Sequence, residues 1–191
     1  MSIERRPIRT FKPRRRSLSP HRAAAMDRLG PAWLLDDTGP VIDLRAEFGR
    51  ASSVVLDIGF GIGDTLIEMA CAEPQTDVIG CDVHTPGIAS TLARIEELGL
   101  DNVRLVHGDA LVFLERIEPA AFAGARIFFP DPWPKVRQRH RRLVRTDVVA
   151  CLVDRLVPGG WIHLATDIDD YSLQMQQVWS TSPSPTPTPS S

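Results

Sequence analysis

The sequence lacks any apolar run long enough to cross a membrane, and no apolar segment of signal-peptide length follows its basic N-terminus. We therefore expect a cytoplasmic protein with no membrane partner. Cysteine is scarce, and the three cysteines (Cys71, Cys81 and Cys151) and five histidines show no metal-ligand spacing. We expect no metal site, and reduced thiols inside the core. A chain of 191 residues that is 43% hydrophobic fits one domain.

Net charge is small, at −2, but the charges are distributed unevenly along the chain. Residues 1–28 contain nine lysines and arginines against two acidic residues, and residues 135–145 contain six with no acidic residue. This segregation predicts a directed basic surface for a polyanion such as nucleic acid. For the N-terminal segment, a basic arm that only aids solubility is the alternative.

A glycine-rich turn joins a predicted strand at residues 54–58 to a segment with helical spacing at residues 65–70. Its glycines are Gly59, Gly61 and Gly63, and a strand, a turn and a helix in this order begin a nucleotide-binding βα unit. A dinucleotide fingerprint requires Gly or Ala where this chain has Asp64, so the spacing favours S-adenosylmethionine over NAD. An ordinary tight turn is the alternative.

Five predicted strands each carry an acidic residue at or just past the C-terminal end. These residues are Asp57, Asp82, Asp109, Asp131 and Asp167. Open α/β sheets bind ligands at that edge, so we expect the acids to surround one site. Asp is also a favoured N-cap residue, and we expect one or two of the five to cap helices instead.

A proline-rich loop follows the predicted strand at residues 127–129 and holds Asp131 and Trp133 among Pro130, Pro132 and Pro134. Prolines restrict the backbone, so the carboxylate and the indole have few available poses. The basic run behind the loop can neutralise phosphates, and the combination predicts chemistry on a nucleotide. Trp133 either stacks on an extruded base or anchors the loop on the sheet. A proline-rich crossover before a solvated charged face is the alternative for the whole stretch.

Helices are predicted at residues 20–29, 63–72, 86–98, 109–117, 146–156 and 168–179. Thr146 is the predicted N-cap of the fifth of these helices, and residues 158–160 are predicted as a tight turn into the last strand.

The segments GFGIGD, CDVH, HGDA, FPDPWPK and ATD occur in this order and spacing. Together they resemble the bacterial tRNA (guanine-N7-)-methyltransferase family over about residues 8–179. The resemblance implies an α/β fold of the Rossmann-like class I methyltransferase type, with a doubly wound, mostly parallel sheet. It implies a basic arm at residues 1–19, a methyltransferase domain at 20–179 and a Ser/Thr/Pro-rich tail at 180–191. We expect arm and tail to be disordered.

The resemblance also implies the reaction: methyl transfer from S-adenosylmethionine to N7 of the variable-loop guanine of tRNA (position 46), by a monomer or weak homodimer that does not act on DNA. Asp131 would be catalytic and would also border the cofactor. The other implied cofactor-binding residues are Asp57, Gly59, Gly61, Gly63, Asp82, Asp109 and Ala110. The implied substrate-binding residues are Lys135, Arg137, Arg139, His140, Arg141, Arg142 and Asp167.

The sequence departs from the family at its C-terminal end. Family members carry two further strands and a Thr-x-Phe-Glu motif, neither of which occurs here, so the strand near residues 161–165 is expected to be an exposed edge. Gln138, His140 and Asp82 also replace the more usual His, Lys and Glu. The alternative function is a truncated, weak or inactive relative that binds tRNA or cofactor without turnover.

A Rossmann methyltransferase that acts on protein or DNA is disfavoured. Amino-methylating families on that fold usually carry an Asn/Asp-Pro-Pro-aromatic loop, and here Trp133 replaces the second proline.

Overall fold

The computed structural model describes residues 19–182. The disorder predicted for the basic arm and the tail therefore lies outside the described residues, except at residue 19 of the arm and residues 180–182 of the tail. Ser180 and Thr181 are helical rather than disordered, and both hydroxyls donate to the carbonyl of Gln177. No helix among residues 19–182 is long and apolar enough to span a membrane.

Six parallel strands form one sheet in the order β1-β4-β3-β2-β5-β6. The strands are β1 (Leu34–Leu35), β2 (Ser53–Ile58), β3 (Thr76–Asp82), β4 (Val103–His107), β5 (Phe122–Phe128) and β6 (Leu156–Ala165). Central strands are almost wholly buried, as their continuous apolar sequences predict for a sheet covered on both faces.

Helices cover both faces of this sheet. They are α1 (Pro20–Trp33), α2 (Leu44–Phe48), α3 (Asp64–Ala72), α4 (Thr85–Leu98), α5 (Ala110–Leu114), α6 (Thr146–Arg155) and α7 (Asp169–Thr181). One apolar cluster joins α1, α3 and α4 to the sheet, and a second joins α5, α6 and α7 to it. The predicted doubly wound α/β fold is therefore confirmed.

The glycine turn also sets how closely two helices pack. Gly63 precedes α3 with a left-handed φ of 85°, and a Cβ there would collide with the Thr91 hydroxyl on α4. Only glycine meets both conditions without strain. The Thr91 hydroxyl is within 2.9 Å of the Gly87 carbonyl inside α4 and within 3.3 Å of the Ile62 carbonyl in the turn, and the second contact holds α4 against the turn.

Several boundaries differ from the prediction. The segment at residues 158–160 lies inside β6 as an irregularity of the ladder, with Gly159 left-handed, rather than as a turn before the strand. Thr146 is the first residue of α6 and not its cap; Arg145 precedes it without a side-chain cap. Helix α5 ends at Leu114, three residues before the predicted end. Strand β1 and helix α2 were not predicted, because two and five residues are too short to show a period.

Strand β6 is an edge of the sheet. Among residues 19–182 it pairs with β5 alone, so the strand near residues 161–165 is an edge, as predicted. Its Trp161 lies over Gly124 and is 42% exposed. The Arg126 guanidinium carbon is 5.5 Å from the centroid of that indole ring.

Candidate active site

A cavity of about 250 Å³ opens at the carboxyl ends of the central strands. Its wall contains six of the residues predicted from the sequence: Gly59, Gly61, Asp82, Asp109, Ala110 and Asp131. These residues lie at or just past the carboxyl ends of four different strands, so the strand-end pattern correctly identified one common edge. Cys81, His84, Phe129 and Leu143 complete much of the remaining wall.

The Asp82 carboxylate holds two neighbouring segments of the cavity wall together. One carboxylate oxygen accepts a hydrogen bond from the Gly61 amide at 2.7 Å, and the other accepts from the His84 amide at 2.7 Å. The side chain at the end of β3 therefore holds the glycine turn after β2 and the start of α4 in one arrangement. This anchoring role is additional to the predicted contact with the ribose.

Asp109 is one of the helix caps that the sequence led us to expect. Its carboxylate accepts from the Leu111 amide at 2.9 Å at the start of α5. Its own amide donates to Asp37 at 3.4 Å, and the Asp37 carboxylate lies directly over Gly108. The sequence analysis did not identify Asp37, which contacts Gly108 and the Asp109 amide from the loop between β1 and α2.

The space in front of the glycine turn fits a ligand. Gly59 and Gly61 have left-handed φ angles of 78° and 64°, and no atom lies within 4 Å of the place where a Cβ would stand. Glycine is therefore needed here for the left-handed backbone and to let a ligand approach the backbone closely, and not for packing against other residues. The cavity wall combines carboxylates, the glycine turn and the apolar Leu143, and this combination suits a nucleoside with a charged tail. These residues would hold S-adenosylmethionine.

Asp57 and Gly63, which were predicted to touch the cofactor, do not line this cavity. Gly63 belongs to the contact between α3 and α4. Asp57 is 3% exposed within β2, in register with Arg126 on β5. Burial raises the pKa of Asp57 to about 6, Asp82 adds to the rise, and Arg126 opposes it. Asp57 thus lies in the sheet behind the site.

The raised pKa of Asp57 predicts a pH dependence of stability. Its ordinary pKa is 3.8 and its folded value is about 6, so the folded state binds the proton more tightly than the unfolded state. The free energy of unfolding should therefore fall as pH rises through this window, by about 2 to 3 kcal/mol, and level off above it. Asp57→Asn removes the titration, so the variant should gain this amount relative to wild type between pH 4 and pH 7. Urea denaturation of both proteins at several pH values measures it; a constant difference would contradict the prediction.

The proline-rich loop is held in a strained conformation. Phe129 and Trp133 have left-handed φ angles of 49° and 40°, which non-glycine residues seldom adopt. Trp133 is 3% exposed, and the Arg141 guanidinium carbon lies 5.0 Å from its ring centroid. Trp133 therefore anchors the loop, and in this arrangement its ring is not open to stack on a base. Asp131 remains partly exposed at the cavity wall.

The basic run forms a 3₁₀ turn, Val136–Arg141, beside the loop. Its exposed members are Lys135, Arg137, Arg139, His140 and Arg141. Asp167 is exposed just past β6, on the same side of the sheet. Arg142 differs: its side chain is fully buried, so the prediction that it contacts RNA is wrong. Its guanidinium pairs with Asp170 and with loop and helix acceptors instead.

Cys81 lies at the cavity wall as a thiol. Burial raises the pKa of the Cys81 thiol well above its ordinary range, and Asp82 and Asp109 add to this, so the thiol stays protonated at the cavity wall. The expectation of a core thiol is right for Cys81, but Cys71 is exposed and Cys151 is half-buried. Residues 19–182 contain no cluster of His, Cys, Asp or Glu able to hold a metal ion.

Comparison with known proteins identifies relatives of the chain. A family described as "Putative methyltransferase" matches residues 51–188. The chain is 45% identical over 183 residues to a tRNA (guanine-N(7)-)-methyltransferase of Streptomyces coelicolor, and 42% identical over 182 residues to one of Streptomyces avermitilis. The alignments cover 95% of this chain in both cases, and 67% and 62% of the relatives. The chain therefore spans about two thirds of the length of these relatives.

A solved structure of similar fold is the precorrin-6y C5,15-methyltransferase of Geobacter metallireducens. It superimposes with a TM-score of 0.55 at 17% identity, over 83% of this chain and 68% of that one. At this identity the likeness concerns the fold alone. The family match covers strands β2 to β6 and the cavity residues, and the two Streptomyces relatives share more than 40% of their aligned residues with the chain. The chain belongs to the tRNA (guanine-N(7)-)-methyltransferase family.

Proposed function

We propose that this chain transfers a methyl group from S-adenosylmethionine to N7 of a guanine in the variable loop of tRNA. The observation that carries the proposal is the position of Asp131. It lies on the wall of the cofactor cavity, on a loop that continues directly into the exposed basic turn Val136–Arg141. A base that reaches the cavity would meet the carboxylate while its phosphates meet the basic turn.

The residues present suit this chemistry. The cofactor supplies an electrophilic methyl on a sulfonium, and its C–S bond breaks as the new N–C bond forms. N7 of guanine attacks with an in-plane lone pair, so no proton has to be removed and no strong base is needed. Methylation leaves the guanine cationic. Asp131 is placed to accept hydrogen bonds from the base and to offset the developing charge. The remaining acceleration comes from in-line placement of the two reacting atoms.

The substrate side of the proposal rests on charge and exposure. Lys135, Arg137 and Arg141 are exposed on one short segment and can each neutralise a phosphate. Arg139 in the same turn and Asp167 just past the carboxyl end of β6 would complete the contact with the nucleotide. A cytoplasmic location and a monomeric or weakly dimeric state stay predictions from the sequence.

The test is methyl transfer from labelled S-adenosylmethionine to unmodified tRNA, with the product mapped by chemical cleavage at 7-methylguanine. We expect a single cleavage in the variable loop. The matched control is the same tRNA with adenine at that position, which should take no label. Label at another site would contradict the assigned substrate. Binding of tRNA without any transfer would favour the alternative of a relative that binds without turnover.

A further inference from the structure

Arg142 connects the loop of Asp131 to helix α7. Its Nε donates to the Pro132 carbonyl at 2.8 Å, on the loop. Its Nη2 donates to the Asp170 carboxylate at 2.7 Å and its Nη1 to the Gln174 side-chain carbonyl at 2.9 Å, both on α7. The guanidinium carbon also lies 4.5 Å from the centroid of the Tyr171 ring. Every nitrogen of this side chain therefore has an acceptor.

One face of α7 supplies the partners on the helix side. Asp170, Tyr171 and Gln174 are spaced so that they lie on adjacent turns of the same helix. Besides holding Arg142, this face fixes the chain just after it: the Tyr171 hydroxyl accepts from the Val144 amide at 3.0 Å, and the Gln174 amide donates to the Val144 carbonyl at 3.1 Å. Helix α7 thus holds the chain at two residues, Arg142 and Val144.

The free-energy cost of burying a charge explains why every donor of Arg142 needs an acceptor. A buried guanidinium is costly unless its donors and its charge are matched, and removal of one partner leaves that cost uncompensated. The loop, in turn, contains two left-handed non-glycine residues, Phe129 and Trp133, which persist only where the surroundings enforce them. The Pro132 carbonyl that Arg142 holds lies between Asp131 and Trp133 in the chain.

We propose that Arg142 is a positioning residue, which transmits the placement of helix α7 to the pose of Asp131 at the cofactor cavity. The effect on catalysis rests on the function proposed above, whereas the effect on the loop does not. Arg142 acts through Pro132 and does not touch substrate. Its neighbour Arg141 stacks on Trp133 and remains exposed, so adjacent arginines of one basic run divide between loop support and phosphate binding.

Three variants test this assignment. Arg142→Met keeps the length of the stem and removes every donor, and Arg142→Lys keeps the charge but cannot reach three acceptors at once. Gln174→Ala removes one partner without leaving a charge unmatched, and it serves if the Arg142 variants do not fold. The matched control is Gln176→Ala, because Gln176 is exposed on the same helix.

Loop pose is measured independently of activity by ¹⁹F NMR of protein labelled with 5-fluorotryptophan. The chain has four tryptophans, and Trp133→Phe assigns the loop signal. We expect the Trp133 signal to shift or broaden in the three test variants and to stay unchanged in Gln176→Ala, with the Trp33 and Trp161 signals unchanged throughout. An unaltered Trp133 signal in every test variant that folds overturns the proposal.

Catalysis supplies the second readout. The single-turnover rate of methyl transfer should fall at least about tenfold in Arg142→Met, less in Arg142→Lys, with affinities for S-adenosylhomocysteine and tRNA within about threefold of wild type. A displaced Trp133 signal with an unchanged rate would overturn the positioning role. If wild type transfers no methyl to tRNA, the proposed function fails, and the NMR result alone decides whether Arg142 holds the loop.

Discussion

Asp131→Ala is expected to lower the single-turnover rate of methyl transfer to tRNA by at least about 10²-fold, since it removes the carboxylate that offsets charge on the methylated base. Affinity for S-adenosylhomocysteine should stay within several-fold, because Asp82, Asp109 and the glycine turn remain in the cavity wall. Rapid-quench measurement with saturating cofactor and tRNA separates the chemical step from binding.

The matched control for this prediction is Asp154→Ala. Asp154 is an exposed carboxylate on α6 that pairs with Arg155 at the surface, so its removal should leave the rate unchanged. Asp131→Asn refines the result: the amide has nearly the same shape but no charge, and a rate as low as that of the alanine variant would assign the effect to the charge. Turnover equal to wild type in Asp131→Ala would remove Asp131 from the mechanism.

Neutralising the exposed basic turn should weaken tRNA binding at least about tenfold, since Lys135 and Arg137 each bring a charge to the phosphate backbone. In the double variant Lys135→Gln/Arg137→Gln, the slope of log affinity against log salt should become shallower by about one for each phosphate that is no longer neutralised. Cofactor affinity should not change, because neither side chain lines the cavity.

A control with equal net charge separates local contact from long-range attraction. Gln176→Glu/Gln177→Glu lowers the net charge of the protein by the same amount, at exposed positions on α7. We expect a small decrease in affinity from that pair and an unchanged salt slope. If both double variants weaken binding equally, the basic turn contributes only through the overall field of the protein, and the RNA binds to another surface.

The sequence predicted the residues at the carboxyl edge of the sheet well, because the motifs that mark this edge each span only a few residues. A glycine turn, an acid at a strand end and a proline-rich loop each act within a few residues, and a parallel sheet brings strand ends together without further information. Asp82, Asp109 and Asp131 therefore met as expected. Gly63 and Asp57 did not line the cavity, since the packing of α3 on α4 and the register of β2 with β5 decide where they point.

The features that the sequence did not reveal are determined by contacts between residues that are far apart in the chain. In a run of arginines every side chain looks alike, and only Asp170 and Gln174 on α7 determine that Arg142 is the buried one. Asp37 reaches the site from a loop that follows a strand of two residues. The irregular entry into β6 depends on pairing with Phe122 and Gly124, which no turn motif indicates.

The tie between Arg142 and helix α7 has a consequence during synthesis. Asp170 follows Arg142 by 28 residues, so at a translation rate of about 5 to 20 residues per second it emerges roughly one to six seconds later. In that interval the loop with Asp131 lacks the helix that holds it. A nascent chain on the ribosome would thus carry every cavity-lining residue before the contact that fixes the loop of Asp131 can form.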